Sequence, residues 1–209
     1  MTVHNIGILG AGKLGITLAQ LALKAGYDVS IAGTGSPNKI KLSVDILAPG
    51  AVARPMREVV READVIILAL PLSKFRTLGP EDLAGKLVID AMNYWWEIDG
   101  PRSDTLPDDE ASSEAVQRFL SRSRIVKAFN HMGYHDLFDE TRPPGAPERK
   151  AIAIAGDDVA DVATVAEIVD RFGFDPLEIG SLRNSSRLEA GWPAFGANLS
   201  REELQDLLR

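Results

Sequence analysis

An apolar stretch, Ile6, Gly7, Ile8 and Leu9, runs directly into Gly10-Ala11-Gly12-Lys13-Leu14-Gly15, and an amphipathic segment follows at once. A G-x-G-x-x-G pattern carries chemical meaning where a strand precedes it and a helix follows. Both conditions hold here. In that setting the first glycine permits the tight turn out of the strand, the second leaves the backbone bare for a pyrophosphate, and the third lets the helix pack close on the sheet. The phosphates then meet free N–H groups and the positive end of the helix dipole. Gly10, Ala11, Gly12, Lys13, Leu14 and Gly15 are therefore the first candidate binding segment of a dinucleotide fold.

The end of the second strand decides which dinucleotide. The pattern predicts a helix over 13–25, with Leu14, Leu18, Leu21, Ala22 and Ala25 on one face and a stop at Gly26, then a strand over 27–32. A site for NAD usually carries an acid at the end of that strand to hold the ribose 2′-hydroxyl. Here the chain reads Ala32-Gly33-Thr34-Gly35-Ser36-Pro37-Asn38-Lys39, with no acid between Asp28 and Asp45. Hydroxyl and N–H groups donate to a 2′-phosphate and a lysine neutralises it. Thr34, Ser36, Asn38 and Lys39 are the expected 2′-phosphate ligands, so NADP(H) is expected over NAD(H). The turn contains no Arg, the better bidentate phosphate ligand.

Apolar runs and helical patterns alternate through the rest of the chain. Helices are expected over 37–47, 56–63, 111–120, 159–172 and 200–208, and strands over 51–53, 64–70, 87–90, 125–129, 151–156 and 176–179. The run Val65, Ile66, Ile67, Leu68 is unbroken, as a strand buried on both faces of a parallel sheet requires. The alternation implies an α/β fold with a Rossmann-type, doubly wound parallel sheet. Residues 93–110, with Tyr94, Trp95 and Trp96, are expected as a long irregular loop. The proline-rich loop 140–150 is expected as a boundary. It separates an NADP-binding domain, 1–145, from a small C-terminal α/β appendage, 146–209, that closes the substrate cleft.

Ligands of such sheets lie beyond the carboxyl ends of the strands. That rule adds Leu70, Pro71, Asn93, Asn130 and His131 to the candidate cofactor-binding residues. His131 is read either as hydrogen-bonding a ribose or carboxamide, or as a structural histidine. Tyr94, Trp95 and Trp96 are read either as the wall of a ring-binding cleft or as packing under a loop.

Composition excludes several chemistries. The chain has no Cys, which removes disulfides, thiolate catalysis and Cys-ligated metals. The net charge of -7 offers no basic face to nucleic acid. The longest apolar stretch is too short to span a bilayer, and a cytoplasmic protein is expected. His131 and His135 lack the H-E-x-x-H context of a metal pair, so no metal is expected. No G-x-S-x-G elbow supports a hydrolase reading of Ser73. The acids of 104–114 read as a solvated loop and helix start. Arg183 and Arg187 are candidates for a ligand's anionic tail or for local ion pairs.

Several segments together are similar to one family. Val126-Lys127-Ala128-Phe129-Asn130-His131, Ile154-Ala155-Gly156-Asp157-Asp158, and the run from Gly180 to Glu189 with Leu182, Asn184, Ser185, Arg187 and Leu188 resemble the F420-dependent NADP reductases, the coenzyme F420H2:NADP+ oxidoreductases and their bacterial relatives. Ser181 stands where the family has Pro, and Gly35 where its 2′-phosphate Arg is expected; Thr34 and Lys39 match, as does Leu70-Pro71. The resemblance implies direct hydride transfer between NADP(H) and the deazaflavin coenzyme F420, a co-substrate stacked on the nicotinamide. Such a transfer needs stacking and exclusion of water rather than a catalytic acid or base, so no catalytic residue is assigned. The alternatives are an NADPH-dependent reductase of another acceptor (flavin, quinone, imine or keto compound) and a non-catalytic NADP(H)-binding sensor. A homodimer is the one protein partner considered.

Overall fold

The computed structural model describes residues 2–107 and 110–209. Of the acidic stretch 104–114, Asp108 and Asp109 therefore lie outside the described residues. The chain opens with β1 (Asn5–Leu9), α1 (Lys13–Lys24), β2 (Asp28–Ala32), α2 (Asn38–Leu47), β3 (Val52–Ala53), α3 (Met56–Glu62) and β4 (Val65–Leu68). After a 3-10 turn at Leu72–Thr77 come β5 (Leu87–Asp90), the one-turn helices α4 (Trp96–Asp99) and α5 (Arg102–Thr105), α6 (Ser112–Phe119) and β6 (Arg124–Lys127). The last part holds α7 (Tyr134–Asp139), β7 (Ala151–Gly156), α8 (Val159–Phe172), β8 (Asp175–Glu178), a second 3-10 turn at Leu182–Leu188, and α9 (Arg201–Leu207).

All eight strands join one sheet in the order β3-β2-β1-β4-β5-β6-β7-β8. The order turns back between β1 and β4, both of which run parallel to their neighbours. This is the doubly wound α/β arrangement expected. It departs from an all-parallel sheet at one place. β7 runs antiparallel to β6, paired only through Val126 with Gly156 and Lys127 with Ala155, and β8 then runs parallel to β7. A parallel neighbour needs a long crossover, usually a helix; the link between β6 and β7 offers only the six-residue α7 and the proline-rich loop.

The sheet is covered on both faces. One apolar cluster joins Ile8 and Ile31 to Leu18 of α1 and to Val165 and Phe172 of α8. The other joins Ile66 and Val88 to Val59 of α3 and Val116 of α6. All four residues of β4 are fully buried, which is why its sequence shows no alternation. Because α8 packs into the first cluster, strands of the 146–209 segment and of the preceding segment share one core. Among the described residues no helix is long and apolar enough to cross a membrane.

Candidate functional site

The carboxyl ends of β1, β2, β4, β5 and β6 carry the candidate residues. At the end of β1, Gly10 adopts φ +123° and its N–H donates to the Ala32 carbonyl at 2.8 Å. A Cβ on Gly10 would collide with the Ala69 carbonyl, and one on Gly15 would collide with the Gly10 carbonyl. These two glycines are required by the fold itself. Gly12 is different: its φ of -79° suits any residue, and a Cβ there would meet nothing within 4 Å. The space beside Gly12 is open. It faces the start of α1, which has neither a side-chain cap nor an acid in its first turn. An uncapped helix N-terminus beside bare backbone is a cradle for an anionic group, and the residues present fit the pyrophosphate of a dinucleotide.

The turn after β2 holds the residues expected at a second anion site. Thr34, Ser36, Asn38 and Lys39 are all exposed. Gly35 has φ +84°, and Lys39 Nζ lies 3.6 Å from where its Cβ would stand, so the ammonium is folded back over the turn. Ser36 Oγ accepts a weak 3.4 Å hydrogen bond from the Asn38 N–H. α2 starts here without a side-chain cap or an acid.

Between these strand ends and the C-terminal segment lies a cleft of about 280 Å³, lined among others by Leu14, Asn93, Trp95, Asn130, Tyr134 and Phe195. Leu14 belongs to the first turn of α1, so the cleft opens directly from the glycine loop. Trp95 and Phe195 meet edge to face with ring centroids 5.5 Å apart. Asn93 and Asn130 hold each other: Asn93 Nδ2 donates to the Asn130 carbonyl at 2.7 Å, and Asn130 Nδ2 donates to Asn93 Oδ1 at 3.1 Å. Asn130 Nδ2 also donates to the Leu188 carbonyl at 2.8 Å, tying the C-terminal segment to the strand ends. Phe129, just after β6, has φ +64°, a conformation that costs a non-glycine residue about 1–2 kcal/mol and that turns the chain sharply at the cleft.

His131 lines this cleft, but its ring belongs to the core. It is 1% exposed, and Nε2 accepts the Ala153 N–H at 3.0 Å. An acceptor Nε2 requires a neutral ring. Burial lowers the His131 pKa to about 4, with the Ala197 backbone opposing the shift. Of its two readings the structural one describes this ring, which fastens β7 to the end of β6. Leu70 and Pro71 follow β4 beside the glycine loop and lead into the first 3-10 turn, outside the lining of the aromatic cleft.

The three aromatic residues of the 93–110 loop separate. Trp95 lines the cleft, Trp96 is exposed, and the Tyr94 hydroxyl donates to the Gly100 carbonyl at 2.6 Å beneath the loop. The loop is tied down by Asp99, a carboxylate that accepts the N–H of Ser73 and of Trp95, both at 2.8 Å. Beneath it, the end of β5 is fixed by a buried pair. Lys127 Nζ lies 3.3 Å from Asp90 Oδ2 and donates to the Met92 carbonyl at 2.7 Å. The Ser113 hydroxyl and the Met92 N–H both donate to the same Asp90 carboxylate. Sequence reasoning missed Asp99, Asp90, Lys127, Tyr134 and Phe195. Only Asp99 left a signal, an acid four residues after Trp95 and able to bond back to it. Arg187 bonds the Leu208 carbonyl at 2.9 Å and so serves the local structure.

Residues 5–94 match the model of the family described as NADP oxidoreductase, coenzyme F420-dependent. The resemblance read from the sequence is borne out over that part of the chain. The metalloreductase STEAP3 of Rattus norvegicus is 26% identical over 188 residues, covering 89% of this chain and 36% of its own length. The F420-dependent NADP reductase of Methanocaldococcus jannaschii is 29% identical over 151 residues, covering 68% of this chain and 66% of its own. This chain thus spans about a third of the first relative and about two thirds of the second. Among solved structures, a hypothetical protein from Sinorhizobium meliloti superposes with a TM-score of 0.79 at 27% identity, covering 94% of this chain and 95% of that one.

Proposed function

We propose that this protein is an oxidoreductase that binds NADP(H) across the strand ends and passes a hydride between it and the deazaflavin coenzyme F420. The observation that carries the reading is the continuity of three features. An open phosphate cradle at Gly12, an acid-free turn with Lys39 folded over it, and an aromatic cleft starting at Leu14 follow one another along the sheet edge. Gly10 to Leu14 would hold the pyrophosphate through backbone N–H groups. Thr34, Ser36, Asn38 and Lys39 would hold the 2′-phosphate. When bound, NADPH supplies the hydride. The chain's own residues orient and shield it: Trp95 and Phe195 wall the cleft, and Asn93 and Asn130, paired with each other, line it. The match of residues 5–94 and the archaeal F420-dependent relative support F420 as the second ring.

The test is binding of the second ring. Oxidised F420 is titrated into protein saturated with NADP+, following the tryptophan fluorescence, to which Trp95, Trp96 and Trp192 contribute. Saturable quenching that a Trp95→Leu variant loses supports the stacked arrangement. Quenching that is absent, or that survives in the variant, contradicts it.

A further inference from the structure

The mechanism proposed above uses no proton donor, yet the cleft holds one. Tyr134, the first residue of α7, lines the cleft together with Asn93 and Trp95 and is half-buried rather than sealed. Its hydroxyl makes no hydrogen bond among the described residues, unlike that of Tyr94, which is spent on Gly100. A phenol left without a protein acceptor at a ligand cleft is free to donate to what the cleft binds.

The charges around Tyr134 favour that role. Across from it α1 contributes Lys13, whose ammonium lies 5.4 Å from the centre of the Tyr134 ring. Lys13 has no acidic partner within 4 Å among the described residues; no salt bridge or hydrogen bond engages it. On α7 itself His135 stacks on the ring with centroids 4.1 Å apart. Asp136 turns back towards Gly133, with its Oδ2 3.3 Å from where a Gly133 Cβ would stand. The buried His131 is engaged by Ala153. An ammonium over the ring face holds the ring in place by a cation–π contact.

We propose that Tyr134 is a proton donor to an oxygen acceptor, and that the protein consequently reduces flat quinones or vicinal dicarbonyls as well as the deazaflavin. The inference rests on the NADP(H) reading of the cleft. Tyr134 gives its hydroxyl proton to the acceptor's carbonyl oxygen while the carbonyl carbon takes the hydride and its two electrons from NADPH. The phenolic O–H bond breaks, a new O–H bond forms on the product, and water returns a proton to the phenolate. NADPH is oxidised and one carbonyl becomes an alcohol. Lys13 is a positioning residue for this step, since its ammonium packs over the Tyr134 ring.

Phenanthrenequinone is the probe and Tyr134→Phe the variant; the phenyl ring keeps the packing over Lys13, and a thermal melt confirms the fold. First, the quinone is titrated into nucleotide-free protein by tryptophan fluorescence. Loss of one hydrogen bond weakens binding about fivefold. Second, NADPH oxidation by the quinone is followed anaerobically. The variant loses about a hundredfold or more in kcat, the span typical of a missing general acid, and the solvent isotope effect of the wild type disappears. Its turnover with F420 falls by a much smaller factor. A wild type that does not reduce the quinone, or a variant that binds and reduces it as the wild type does, overturns the proposal. Quinone reduction without any transfer to F420 leaves Tyr134's role standing and contradicts only the F420 reading.

Discussion

Substituting Gly12 by Ala separates the fold from the phosphate site. The backbone there is extended with φ -79°, and an added Cβ meets nothing within 4 Å. A glycine replaced where its conformation suits alanine gains about 0.4–1 kcal/mol through the unfolded chain. Gly12 is also the N-cap of α1, where alanine is a poorer choice by about the same amount. The two effects oppose each other, and the melting temperature should move by no more than about 4 °C in a chain of this size. Binding should change far more, because the methyl group takes the space that the pyrophosphate needs. Losing two backbone N–H bonds to a charged phosphate, at about 1.5–3 kcal/mol each, gives about 3–6 kcal/mol or roughly a hundred- to ten-thousandfold in Kd. NADPH and NADH should suffer alike, since both carry the pyrophosphate. Calorimetry gives the affinities. In melts with NADPH at about a hundredfold its Kd, the wild type should gain about 2.7 kcal/mol and the variant almost nothing. A folded Gly12→Ala protein that binds NADPH as the wild type does refutes the assignment of the cradle. By contrast, Gly15→Ala should fail to fold normally, because its Cβ strikes the Gly10 carbonyl.

Three further outcomes follow from the geometry. Lys39→Ala should weaken NADPH by about 1.5–3 kcal/mol, the worth of one charge-assisted contact, and leave NADH almost unchanged in the same calorimeter; equal losses would remove Lys39 from the 2′-phosphate site. Asp99→Ala deletes the acceptor of two backbone N–H groups and should destabilise the 93–107 loop by about 2–4 kcal/mol, read as faster hydrogen exchange at Ser73 and Trp95, while unchanged exchange would show that the loop is held by other contacts. His131 has a folded pKa near 4 against an ordinary 6.5, so the unfolded chain binds the proton more readily between those values; stability is complete above pH 6.5 and should fall by about 3 kcal/mol as pH drops to 4. A His131→Gln variant should lose that dependence in urea titrations at several pH values, and an identical slope in both proteins would place the effect elsewhere.

Long periodic elements could be read from the residues, and short or tertiary features could not. α2 runs over Asn38–Leu47 as the proline and the apolar spacing indicate, and β4 shows in the sequence because both of its faces are buried. α4, α5 and α7 are too short for a helical period to register, so the 93–110 stretch reads as irregular although Asp99 anchors it. Strand direction leaves no trace in an apolar run, which is why the antiparallel β7 was not visible. The glycine cradle and the Lys39 turn are local and follow from spacing alone. The far walls of the cleft, Tyr134 and Phe195, reach it only because α7 and the C-terminal segment fold back, the latter held by the Gly196 N–H on the His131 carbonyl. His131 illustrates the same limit: its place at a strand end was legible, and which of its two readings holds was decided only by the turn of its ring into the core.

The most direct test of the account is hydride transfer itself. The protein is mixed anaerobically with NADPH and oxidised F420, and the deazaflavin absorbance is followed. The account predicts bleaching at a catalytic rate, with NADH much slower. Bound NADPH without bleaching, or bleaching equally fast with NADH, would contradict it.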